Sequence, residues 1–184
     1  MSKYRAFRIH LENGRHSAGL ESLELIDPQP GEVATVVIDR PHGDVADNDA
    51  WRSRREMAER WRAALADLGA ERSFEVTPLL SYAATGANNA DLPKTATIGG
   101  EAVDLRSVLE KSTLAVAMTE FSATAPMKLN APRHGFRAAT MPGFTREMVP
   151  ALKLDWEEIH GRCADLKQLL DRTVAATLRF EASG

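Results

Sequence analysis

One cysteine, Cys163, stands in 184 residues, so a disulfide within the chain is excluded and a reducing compartment is the natural expectation. No apolar run approaches the roughly 18 residues that a membrane-spanning helix needs. The basic start MSKYRAFRIH has no continuous apolar segment behind it, so neither a signal peptide nor an anchor is expected. Cytoplasmic residence without a membrane partner follows as the expectation. A net charge of -3 removes the electrostatic case for nucleic acid as the main partner. Also missing is the usual punctuation of catalysis. The stretch Ala117 to Met148 has no nucleophile elbow, no glycine loop to cradle phosphate and no metal-ligand pair.

What is present reads as a globular domain. Hydrophobic residues make up 43% and charged residues 27%, an ordinary balance, and a chain of this length can bury a core without metals or cross-links. A single domain is expected over 1–184, with 1–30 as an N-terminal extension or edge strands and 31–184 as its core. After the turn signal DPQPG, the run Glu32 to Asp39 is rich in β-branched residues, as in a buried first strand. From Asp49 to Leu68, apolar residues Trp51, Ala58, Trp61, Leu65 and Leu68 recur on one helical face. Gly69 is the expected stop, and Asn48 or Asp49 the expected cap. Phe74 to Leu80 reads as a second strand interrupted by Pro78. Ser81 to Ala102, rich in Ala, Gly, Asn and Thr, reads as a long irregular excursion.

Val103 to Lys111 is expected as a short helix with Asp104 near its start. Leu114 to Met118 and Phe136 to Thr140 are expected as the third and fourth strands. A helix from about Thr145 follows, then a longer one from Asp155 to Arg172. Its stripe of Trp156, Ile159, Cys163, Leu166 and Leu170 predicts a buried, inert thiol. Val174 to Glu181 would close as a fifth strand. Alternation of strands and helices predicts an α/β, Rossmann-like, doubly wound and mostly parallel sheet of about five strands, with extra strands in the first 30 residues.

In such a sheet the loops after the strands hold the chemistry. His42, Asp44, Asp47 and Asp49 could offer ligands to a divalent cation, though a solvated capping loop explains them as well. Thr119, Glu120, Ser122 and Thr124 are candidates for a ligand crevice beyond the third strand. Ser122 and His134 lack a third orienting group for acyl transfer. Arg52, Arg54, Arg55, Arg60 and Arg62, interleaved with Glu56 and Glu59, predict a solvated helix face with pairs such as Glu56 with Arg60.

The strand end TEFS, the block GFRAATMPGFTREM, the helix LDWEEIHGRCADLKQLLDRT and a closing strand ending in glycine resemble the N-terminal domain of aminopeptidase T-type leucyl aminopeptidases. That family also includes ring-opening dihydroxypyridine dioxygenases. The resemblance spans roughly 30–184 and is most specific at Gly135, Arg137, Met141, Pro142, Gly143 and Met148. It implies a half that is inactive alone. Zinc, cobalt or iron would then be held by a C-terminal catalytic domain or companion subunit, with this half supporting homo-oligomer assembly or gating the site. In place of the histidine that family members often carry after Ser-x-Thr, this chain reads Ser122-Ala123-Thr124-Ala125-Pro126. That residue's role therefore does not transfer. Two other readings stay open: a free-standing small-molecule binding module, and a small enzyme using the loops after Asp39, Met118 and Thr140.

Overall fold

The structure, a computed structural model, describes residues 27–152 and 156–177. Seven strands form one mixed sheet: β1 Val33–Arg40, β2 Glu75–Val76, β3 Leu80–Ala83, β4 Thr95–Ile98, β5 Glu101–Asp104, β6 Leu114–Ala117 and β7 Arg137–Thr140. Their order is β5-β4-β3-β1-β6-β7, with β2 also paired to β1. β2, β3 and β6 run parallel to β1, and β7 parallel to β6, whereas β3-β4 and β4-β5 are antiparallel. The α/β class is as expected. The sheet is mixed, with seven strands where about five were expected.

Two local features account for the extra strands. Pro78 offers no N–H to the ladder, so the expected second strand splits into β2 and β3 around it. Within the expected excursion, Gly99 and Gly100 form a two-residue loop with φ of 58° and 91° between Ile98 and Glu101, which pair across it. Both residues sit in the region that a tight hairpin requires, which makes the pair a β-turn rather than a loose segment.

Helix α1, Asp49–Arg72, lays Trp51, Ala58, Trp61, Leu65 and Leu68 onto the sheet as their spacing predicts. Asn48 caps it, its Oδ1 accepting the Trp51 N–H at 2.8 Å. Gly69 does not end the helix, which runs on to Arg72 and closes at Ser73 in the left-handed conformation. The glycine serves close approach instead. A Cβ there would meet the Phe74 carbonyl oxygen at 2.6 Å.

On the α1 side, Ala34, Val36 and Ile38 of β1 meet Trp61, Leu65 and Phe144. The opposite face packs Val37, Leu80 and Ala117 against α2, Leu105–Lys111, and α3, Thr124–His134. Asp104 caps α2, its Oδ1 accepting the Ser107 N–H at 2.7 Å. After β7 the chain forms a 3-10 helix at Arg146–Leu152, not the α-helix expected from Thr145. Pro150 lies within it and cannot donate an N–H.

Helix α4, Trp156–Asp171, forms where expected, but its apolar stripe is not buried. Leu166, Leu169 and Leu170 are 55%, 58% and 56% exposed, and Cys163 is exposed. The reason is that spacing sets which residues share a face, not whether another element covers that face. Every described α4 side chain from Glu158 onward is exposed except the half-buried Ile159 and Ala164. Residues 174–177 of the expected fifth strand are irregular and exposed, and the rest of that segment lies outside the described residues, as do the expected N-terminal strands.

Candidate functional site at the carboxyl rim of the sheet

From β1 the chain steps outward to β3 on one side and later returns to β6 on the other. The carboxyl ends of β1 and β6 therefore diverge at a switch point, where open α/β sheets keep their ligand crevices. Here that crevice is occupied by the protein's own side chains. Asp39, fully buried near the end of β1, accepts the Trp51 Nε1–H at 2.9 Å and the backbone N–H groups of Glu120 at 2.8 Å and Phe121 at 3.0 Å. Burial raises its carboxyl above the ordinary carboxylate range, against the pull of those hydrogen bonds. Trp51 stacks edge-on to Phe121 at 6.1 Å and lies under the Arg55 guanidinium at 5.3 Å.

Glu120 is placed by the same strand end. Its carboxylate takes Nη1 of Arg54 and lies 3.4 Å from the Asn48 amide. Arg54 is only 3% exposed, and its Nε–H donates to the Phe144 carbonyl at 2.8 Å. The arginine thus ties α1 to the loops after β6 and β7. Thr119, also buried, donates its hydroxyl to the Phe121 carbonyl at 2.7 Å, and its own carbonyl accepts the Gly143 N–H at 2.9 Å. Tyr82 stands close to Thr119 and Asp39. Burial, reinforced by the charge of Asp39, pushes its hydroxyl far above the ordinary tyrosine value.

The loop after β3 closes the remaining side. Asn88 Oδ1 accepts the Ser122 N–H at 2.8 Å, and Asn89 Oδ1 accepts the Ala125 N–H at 3.0 Å. The Ser122 hydroxyl lies 3.1 Å from both Asn89 Oδ1 and Thr124 Oγ1, and Thr124 and Thr140 share a hydroxyl contact at 2.9 Å. Ala123 gives α3 no side-chain cap, so Asn89 supplies one from a distant loop. With φ at 61°, it also occupies a conformation that asparagine tolerates better than alanine. Asn89→Ala is expected to cost about 1 kcal/mol through the lost cap. Thermal denaturation checks this, and an unchanged midpoint would mean that the loop is not holding the helix.

The expected site residues therefore divide. Thr119, Glu120, Ser122 and Thr124 come together, but engaged with protein groups. His42 and Asp44 lie on an exposed loop apart from them. Asp47 is held by Arg52 at 3.1 Å and Arg55 at 2.8 Å. Among the described residues, no group of three or more His, Cys, Asp or Glu is placed to hold a metal ion. Ser122 precedes α3 while His134 ends it, packed beside Glu110 at 3.3 Å. They stand at opposite ends of the eleven-residue helix α3, so they cannot act on one substrate. Arg54 corrects the expectation of a solvated arginine face. It falls three residues after Trp51 and four before Ala58, on the buried stripe itself, and that spacing was the available signal.

No protein-family model, curated protein or solved structure matches the chain.

Proposed function

We propose that this chain is a non-catalytic, Rossmann-like α/β domain of the aminopeptidase T-like kind, which supports assembly of a metalloenzyme whose zinc, cobalt or iron is held elsewhere. The observation that carries the reading is how far the rim's polar groups are engaged with the protein itself, Arg55 Nη1 being the buried exception. Asp39, Arg54, Glu120, Asn89 and Ser122 engage one another and the backbone, where a catalytic constellation would aim groups at a substrate. The parallel order β3-β1-β6-β7, with β1 inside, supports the doubly wound reading of that part of the sheet.

Assembly is assigned to α4. Three adjacent leucines, each more than half exposed, make an apolar stripe beside which Arg162 pairs with Glu158 and Lys167 with Asp171. Those basic side chains are balanced locally, so two copies can meet without a like-charge penalty. Sedimentation is expected to show the chain as a dimer or larger. Leu166→Glu with Leu170→Glu should shift it to monomer with unchanged circular dichroism. A monomeric wild type would remove the assembly role, and hydrolysis of leucine 4-nitroanilide by the chain with added zinc or cobalt would remove the non-catalytic one.

A further inference from the structure

A groove on the α1 side of the sheet, away from the rim, leaves several polar groups without a partner among the described residues. Register sets Ser81 opposite Ile38 of β1 and Thr97 of β4 opposite Ser81, so these residues share the face on which Ile38 meets α1. Helix α1 packs over β1 and β2. Beyond it, among the described residues, that face carries hydroxyls rather than a packed core. Between the helix and the part of the sheet that no other described element covers lies an open groove of about 620 Å³, lined by Arg40, Ser81, Thr97 and the Gly99–Gly100 turn, with Pro78 and Leu79 as apolar neighbours. Its volume is in the range of small-molecule sites.

The charges at its mouth set the ligand class. Arg62 is neutralised by Glu59, whose Oε1 accepts from Nε at 2.9 Å and from Nη2 at 2.7 Å. The Arg40 guanidinium has no hydrogen bond or ion pair with any described residue, and neither do the hydroxyls of Ser81 and Thr97. Ser81 is largely buried, and its hydroxyl opens onto the groove, where a ligand can replace solvent as its partner. We propose that the groove binds a small monocarboxylate with an apolar body. Arg40 takes the carboxylate in paired N–H···O bonds, the two hydroxyls donate beside it, and Pro78 and Leu79 hold the body. A single uncommitted cation matches one negative charge. The second oxygen of Glu59 opposes a phosphate carrying two.

Titration of the full chain with benzoate, followed by amide chemical shifts, tests the site. Saturable shifts are expected at Ser81, Thr97, Gly99 and Gly100, with benzamide and inorganic phosphate at least about tenfold weaker. Arg40→Gln should weaken benzoate by about tenfold or more, and Arg40→Lys by less. Arg40 is exposed, so neither change threatens the fold. The proposal is wrong if benzoate, phenylacetate and cinnamate all leave these amides unmoved, if benzamide or phosphate binds as well as benzoate, or if Arg40→Gln binds like the wild type.

Discussion

Asp39→Ala is expected to destabilise the domain by about 3 kcal/mol or more, because two backbone donors lose their acceptor inside the protein and the Trp51 indole keeps only the longer bond to the Asp39 carbonyl at 3.2 Å. The Trp51 indole and the backbone N–H groups of Glu120 and Phe121 all converge on this one carboxylate. None can turn to water without opening the junction of β1, α1 and the loop after β6. Asp39→Asn is expected to cost less, since the amide keeps one oxygen acceptor but turns an NH2 group toward donors. The pH response separates the charge from the hydrogen bonds. Burial raises the folded carboxyl above its unfolded value, so the stability linked to its proton is present in full at pH below the unfolded value. It is lost as pH rises through the folded one. Asp39→Asn should abolish that slope, and urea midpoints measured across the carboxylate range would reveal it. A slope that survives in Asp39→Asn would assign it to another group.

Much of the fold was legible because hydrophobic spacing is a strong local signal. The apolar ladder of α1 and the β-branched run of β1 each placed an element and its buried face correctly. The β4-β5 hairpin was harder to read because Thr95-Ala96-Thr97 is short and weakly apolar, although Gly99-Gly100 between two such runs is itself a hairpin signal. The exposure of Leu166 and Leu170 was not legible at all, since a helical stripe carries no information about what covers it. At the rim, sequence brought Thr119, Glu120, Ser122 and Thr124 into one crevice by the rule that loops follow strands. It could not show that Asp39, from a strand read as wholly structural, and Asn89, from a loop read as irregular, would occupy their hydrogen bonds. Those contacts cross 81 and 36 residues of chain, beyond the reach of any local pattern.

Arg54 offers the sharper test of whether Glu120 is scaffold or ligand residue. Truncation by Arg54→Ala is expected to cost about 3 to 5 kcal/mol, because it removes a buried cation, leaves the Phe144 carbonyl without its donor and leaves the Glu120 carboxylate with only the long contact to Asn48. Arg54→Met keeps the volume and should lose less. Glu120→Gln, from the partly exposed side of the pair, should be milder than either. If the pair is structural, Arg54→Met and Glu120→Gln will be non-additive, the double variant being more stable than the two single losses predict by about 1 kcal/mol or more. Urea midpoints at constant slope measure this directly. A Glu120→Gln variant of unchanged stability, with additive behaviour in the cycle, would mean that the carboxylate is not consumed by Arg54. Glu120 would then be free to meet a ligand at the rim, and the network on which the non-catalytic reading rests would be open at its centre.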